Sequence, residues 1–537
     1  MARSIAGHIW PLGLLGLLLG LVACRPAAPP PPYPPRPALP DSNEVRDWDG
    51  AQLAAAYCTG CHLLPSPAQL PGPSWTRGVL PLMGRRLGIP QEGAIPVGAQ
   101  GIDVARRMLQ AEIFPARPQL STEAWARIVA YFETYAPDSL SPRLTFPLPT
   151  SEGPLTMQPQ PTPSDLYPLV CLLQWDSARQ ALWVGDRQGN LFLLDEAGEP
   201  LLAHRFASAP VAITPAEGDA YHVLTIGIFN PSDQERGRLY RWQPPQPGRA
   251  AHLDTLLQGL ARPVTMAWAD LDQDGLQDVV VGEFGYWLGR LAWYRQAGDG
   301  RFERQILRPY PGATALAIRD LNADGWPDLL VLMAQGAEGI YQYLNQGGGQ
   351  FQESIRISWP AVWGANAMRL VDLDGDGEEE FVCTNGDNAD GSFTLKPYHG
   401  LQIYRPRTSG ELESVFSYPA YGASGVEALD LDEDGDLDLG LIAFFADFDR
   451  DPAQGFIWLE NVSAGDSLAF RPHLHPEGAA GRWLVMSARP ASVESPSALF
   501  LGNFAYAPTA VPDSLQRFWE QVAPKVQQVM GAFPARQ

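Results

Sequence analysis

One nine-residue pattern recurs four times and dictates most of what this chain can become. The first copy is Asp270-Leu271-Asp272-Gln273-Asp274-Gly275-Leu276-Gln277-Asp278, and further copies start at Asp320, Asp372 and Asp430. Each reads D-x-[DN]-x-D-G-x-x-[DE], with starts 50, 52 and 58 residues apart. A unit of that period cannot bury its apolar face alone, so the copies must stack on one another. Val279-Val280-Val281 follows the first copy and Leu329-Leu330-Val331-Leu332 the second, runs of strand length. The acids carry a chemistry as well. Hard Ca²⁺ takes six to eight oxygen ligands, and carboxylates at alternate positions before a Gly turn can wrap around one ion. The expected calcium ligands are Asp270, Asp272, Asp274 and Asp278; Asp320, Asn322, Asp324 and Asp328; Asp372, Asp374, Asp376 and Glu380; and Asp430, Asp432, Asp434 and Asp438. The start resembles an EF-hand loop, but strands flank it and the closing acid comes earlier. The same residues also close a polar turn through Asx hydrogen bonds without metal.

These loops, with Gly282-Glu283-Phe284-Gly285 after the first, resemble FG-GAP repeats of the integrin-α type. The resemblance implies four-stranded propeller blades. Three copies without the acid loop lie at residues 169–196, 210–242 and 482–504, where Arg489-Pro490-Ala491-Ser492 replaces the acids of the last. Seven blades over residues 150–510 are therefore expected. Cys171 and Cys383 fall in strand-like runs of non-adjacent blades, as buried free thiols.

Upstream stands Cys58-Thr59-Gly60-Cys61-His62, the C-x-x-C-H attachment pattern of haem c. Ala-rich residues 50–57 should form a helix ending at Cys58. Trp125, Ile128, Val129, Phe132 and Tyr135 have helical spacing, with Ser121 or Thr122 as cap and Pro137 as stop. Residues 44–139 thus resemble a small all-α class I cytochrome c. His62 is the expected proximal ligand. Met83, between Pro81 and Gly84, is read as a loop residue and preferred as sixth ligand, with Met108 on a helix as the alternative. Arg77, Arg85 and Arg86 bracket Met83 and could meet haem propionates, and Trp75 could pack on the porphyrin edge.

The chain opens with Arg3 and an apolar run, residues 9–22, too short to span a bilayer comfortably. Leu21-Val22-Ala23-Cys24 resembles a bacterial lipobox, which implies a signal over residues 1–24 and acylation of Cys24. Residues 25–43 are Pro-rich and read as a stiff spacer. A formal net charge of −22 gives a nucleic-acid role no electrostatic support. Leu515, Phe518, Trp519, Val522 and Val526 form a stripe from a Ser514 cap, read as a C-terminal helix over 511–537 with a bend at Pro524.

The expected protein is multidomain. It is a lipid-anchored, extracytoplasmic electron carrier with one covalent haem c, exchanging electrons with a redox protein or quinone-linked complex. A calcium-braced propeller serves as its docking platform. Two alternatives stand beside it. One is an oxidoreductase with substrate at the propeller channel, although no nucleophile–base pair is visible. The other is a calcium-dependent binding propeller with an accessory haem. Asn385-Gly386-Asp387-Asn388-Ala389-Asp390 and Lys396-Pro397-Tyr398-His399-Gly400 form a polar insertion in one blade, resembling a segment of bacterial FG-GAP proteins that carry a haem domain.

Overall fold

The computed structural model describes residues 45–91, 100–141, 155–388, 394–407, 410–465, 467–493, 495–506 and 511–531. The leader with Cys24, the Pro-rich spacer and the Ala389-Asp390 pair lie outside them. Among the described residues, no helix is long and apolar enough to cross a membrane.

Seven four-stranded antiparallel sheets follow one another along the chain, as the repeat count predicts. Six take residues 170–205, 210–260, 263–308, 313–358, 365–419 and 423–474 in order. In every blade the second strand is centred on apolar residues, as in Asp278–Glu283 and Asp328–Met333, and is buried along its whole length or nearly so. Neighbouring blades cover both of its faces, so no polar alternation survives. Outer strands such as Phe302–Arg308 face solvent and carry the charges. The inner strand of all seven blades shifts register near its start, between Pro263 and Thr265 in the third and Ala313 and Ala315 in the fourth. Such a bulge increases local twist, which a propeller blade requires.

The seventh blade corrects the expected domain limits. Its strands are Trp483–Arg489, Ala498–Asn503, Val526–Gly531 and, at the outer edge, Leu155–Pro159. Leu155 pairs with Gly531 and Pro159 with Gln527, so the ring is closed by strands from its two ends. The propeller therefore runs past residue 510. The expected helix over 511–537 is only Asp513–Gln521, capped at Pro512, with Ser514 inside its first turn. Pro524 ends this helix instead of bending it, and Val526 is fully buried in a strand. Pairing on both sides, with Ala498–Asn503 and Leu155–Pro159, outweighs the helical spacing of its side chains.

The N-terminal helices form a separate core of Leu53, Ala54, Tyr57, Trp75, Ile128 and Phe132 among others. Gly50–Cys58 packs on Thr122–Tyr135, which Ser121 caps by accepting the Ala124 N–H at 3.2 Å. Gly50 permits that approach, since a Cβ there would lie 2.2 Å from the Arg127 carbonyl oxygen. Met83 is not on a loop. It lies in the helix Leu80–Arg86, with Pro81 harmless in the first turn and Gly84 kept small by Trp125, 3.0 Å from where a Cβ would be.

Strand order fixes which face of the ring these helices meet. The acid loops join first to second strands. The helices touch loops joining second to third strands, at 227–236, 284–289 and 386–399, and a loop between blades, at 359–364. In an antiparallel blade these two sets lie at opposite ends. The helices therefore cover one face and the acids occupy the other.

Candidate functional site

The C-x-x-C-H turn is presented by a well-started helix. Asp49 accepts the Gln52 N–H at 2.8 Å while its own N–H reaches Gln52 Oε1 at 3.0 Å. Leu53, Ala54 and Tyr57 anchor the buried face, and the helix ends at Cys58. Cys58 is half-buried, Cys61 is exposed and neither is bridged. Burial pushes the Cys58 thiol up to about 12, with Cys61 adding to it. The His62 Nδ1 lies 2.8 Å from the Leu63 carbonyl oxygen, and burial lowers its proton affinity, with Arg86 contributing. The ring is thereby set as the neutral tautomer that keeps its lone pair on Nε2, the form a metal ligand needs.

Met83 packs against the core that also receives Cys58 and Leu64. Met108 is buried elsewhere, with Val104 and Ile113 against Leu288 of the third blade. Trp75 is 1% exposed, stacks obliquely on Phe132 at 4.6 Å and donates its indole N–H to the Pro67 oxygen. Arg85 is half-exposed at the end of the Met83 helix. These donors fit a haem c: two thiols and an oriented neutral imidazole on one turn, and one of the two methionines on the same core.

The four acid loops share one conformation. Their fourth residues, Gln273, Ala323, Gly375 and Glu433, have φ from +57° to +73°, and their sixth, always Gly, from +86° to +106°. Asp270 accepts the N–H groups of Asp274 at 3.0 Å and Gly275 at 2.8 Å, and Asp320 does the same for Asp324 and Gly325. The closing acids Asp278, Asp328, Glu380 and Asp438 are at most 1% exposed. Each accepts the N–H of the second loop residue, at 2.9–3.2 Å. In three loops carboxylate oxygens lie within 4.8 Å of one another: Asp270/Asp272/Asp278, Asp372/Asp374/Glu380 and Asp430/Asp432/Asp434. Oxygens on one Ca²⁺, each roughly 2.4 Å from it, span about that distance. These clusters could bind a metal. In the second loop Asn322 Nδ2 donates to Asp324 at 2.8 Å.

Charge compensation differs between loops. Arg295 pairs with Asp272 and Asp274, and Arg405 with Asp374 and Glu380. In the fourth loop Asp436 is pushed up to about 6 and Asp438 to about 7, by burial first and neighbouring carboxylates second. Asp436 belongs to the seventh position, which the sequence pattern leaves open.

The insertion at 385–400 meets the helices. The Tyr398 hydroxyl lies 3.2 Å from the Gln69 oxygen and 3.1 Å from the Val362 oxygen, and its ring stacks on Trp363 at 5.5 Å. Ser74 and Thr394 hydroxyls are 3.3 Å apart. Beneath them Lys396, 1% exposed, donates to the Val362 oxygen at 3.3 Å, and Glu338 accepts the Ala365 N–H at 2.9 Å. Burial pushes Glu338 up to about 8, against the pull of Lys396. A second contact joins Arg107 to Glu235 at 3.0 Å and Gln100 to the Asp233 N–H at 2.6 Å. Within the sixth blade, His473 stacks on Trp458 of the adjacent strand at 4.5 Å and contacts Glu460 at 2.6 Å. The contacts between helices and propeller come from docking and carry no local sequence signal.

Residues 270–331 and 320–383 match the model of the FG-GAP-like repeat. The chain thus carries FG-GAP repeats on a seven-bladed propeller, a platform architecture for binding. Human integrin alpha-7 is 32% identical over 144 residues, covering 24% of this chain and 12% of that protein. Human phosphatidylinositol-glycan-specific phospholipase D is 32% identical over 147 residues, covering 22% and 18%. The chain thus spans less than a fifth of either relative. Among solved structures, the WD40 domain of Neurospora crassa Pan2 aligns over 72% of this chain and 98% of its own, with a TM-score of 0.42 and 9% identity. U3-55K aligns over 70% and 98%, with a TM-score of 0.42 and 10% identity.

Proposed function

We propose that this chain is an extracytoplasmic electron-transfer protein, lipid-anchored through Cys24, whose propeller is a calcium-braced docking platform. The observation that carries this reading is the Cys58–His62 turn, with His62 Nδ1 tied to Leu63 and Nε2 left for a metal. Cys58 and Cys61 would hold a haem c covalently, His62 would be one axial ligand, and Met83 the other in preference to Met108. Bound there, the haem supplies a one-electron iron couple. The chain's own residues would orient the imidazole, keep the sixth ligand beside the core of Leu53 and Tyr57, and exclude water with Trp75 and Phe132 behind them. Calcium ions in the acid loops would brace the blades from the opposite face, leaving the covered face rigid for the helices. The redox partner in this reading is a protein or a quinone-linked complex.

A substrate in the propeller channel is disfavoured by a specific feature. Phe229, Phe444, Phe445 and Phe504 gather with Leu169 and Ile226 from several blades into an apolar cluster. They come from the loops at the helix-covered face and would line that end of the ring with hydrocarbon. The test is to mature the full chain in a host that attaches haem c. A haem mass on the intact chain and a reducible visible spectrum are expected, both lost in Cys58→Ala/Cys61→Ala. A colourless parent protein of unmodified mass overturns the reading.

A further inference from the structure

We propose that the propeller builds one wall of the haem site, with Trp287 as the positioning residue that holds Arg86 beside the iron ligand and Tyr310 closing the Cys61 edge. The inference rests on the haem reading above. Arg86 leaves the Met83 helix and lays its guanidinium 5.0 Å from the Trp287 ring and 5.8 Å from Phe114. Phe114 meets Trp287 edge-on at 5.3 Å. Trp287 sits on a loop that is locked in place. The buried Asp233 Oδ1 accepts the N–H groups of Tyr286, Trp287 and Leu288 at 2.9, 2.8 and 2.7 Å. Leu288 is then sealed by Met108, which gives that methionine a role at the domain boundary.

The face of the turn points the same way. Arg86 closes the helix that carries Met83, in its last turn, and its charge reaches His62; Tyr310, on the loop into the fourth blade, feels the charge of Cys61. The Tyr310 ring is itself held under the Arg308 guanidinium at 4.9 Å. A porphyrin joined covalently to Cys61, which is itself exposed, would have an edge on this side of the helices, where the wall would replace part of its contact with water. Two effects then act on the iron. The Arg86 charge disfavours the more positive ferric state, and the aromatic wall keeps out water that would stabilise it. Both raise the potential.

Spectroelectrochemical titration of the full-length haem protein tests this. Arg86→Gln and Trp287→Leu should each raise the ferric-to-ferrous ratio at a fixed applied potential about three- to tenfold, where tenfold is 59 mV for one electron. Because Trp287 acts through Arg86, the double variant should shift little further than the larger single. Tyr310→Phe, which keeps the ring, should shift less than twofold, and Tyr310→Ala more. Tyr398→Phe, on the other contact patch, should leave the ratio unchanged. Folding is checked by circular dichroism, and Arg86→Gln leaves the third blade intact if Trp287→Leu does not fold. A coloured, folded Arg86→Gln protein with an unchanged ratio overturns the inference alone. A colourless parent removes the haem reading and the inference with it.

Discussion

Excess EDTA leaves Asp270, Asp272 and Asp278 with oxygens within 4.8 Å of one another and no cation between them, and the same holds in the third and fourth loops. Calcium at a hundredfold excess over its Kd stabilises the folded state by about 2.7 kcal/mol per site. Three such clusters give about 8 kcal/mol if they act independently. An unfolding entropy near 2.1 cal/mol/K per residue, over roughly 375 propeller residues, is about 0.8 kcal/mol/K. Chelation should therefore lower Tm by about 10 °C, read by differential scanning calorimetry in millimolar calcium and in EDTA. The loss should not be shared equally. Arg295 and Arg405 already partly neutralise the first and third loops, while the fourth loop has Asp436 and Asp438 pushed upward. Asp432→Asn should thus erase more of the calcium-dependent shift than Asp272→Asn. If Tm in EDTA stays within about a degree of that in calcium, the loops are Asx turns that need no ion, and the bracing argument fails.

Three further outcomes follow from named contacts. Met83→Ala should abolish the weak far-red sulfur–iron band of the ferric protein, whereas Met108→Ala should keep it and lose about 2–4 kcal/mol to a cavity against Leu288, read by urea denaturation. Tyr398→Phe removes a hydroxyl placed between the Gln69 and Val362 oxygens and should weaken docking by about 1 kcal/mol, seen as faster amide exchange in residues 67–75. His222 stacks on Trp268 at 3.9 Å, and burial first, then Arg241, lowers it from 6.5 to about 4. The unfolded chain takes up that proton first, so stability is intact above pH 6.5 and falls as pH drops toward 4, by about 2 kcal/mol after discounting for partial exposure. His222→Phe should flatten that part of the urea-midpoint profile, and an unchanged slope refutes the assignment.

The acid loops made four blades legible, because one turn conformation demands acids and Gly at fixed offsets. The plain blades were legible from apolar runs such as Leu191-Phe192-Leu193-Leu194, buried on both faces. The seventh blade was only half legible. Val526–Gly531 finds its outer partner at Leu155–Pro159, almost a whole ring away in sequence, and no local pattern announces that pairing. Met83 was assigned to a loop because Pro81 and Gly84 read as breakers. One sits where a helix needs no N–H, and the other is small because Trp125 packs on it. The cysteine turn was legible at the level of motif. Its surroundings were not, since contacts such as Trp287 with Arg86 form only through domain docking.

The closing strand sets an order of events. Leu155–Pro159 emerges before any blade exists and keeps an open edge until Val526–Gly531 arrives, so an emerging chain must hold its rotor unlatched while the helices are already free to fold. Losing that final strand would cost more than one edge of one sheet. It would leave both termini of the ring frayed and give a neighbouring molecule a template for strand exchange.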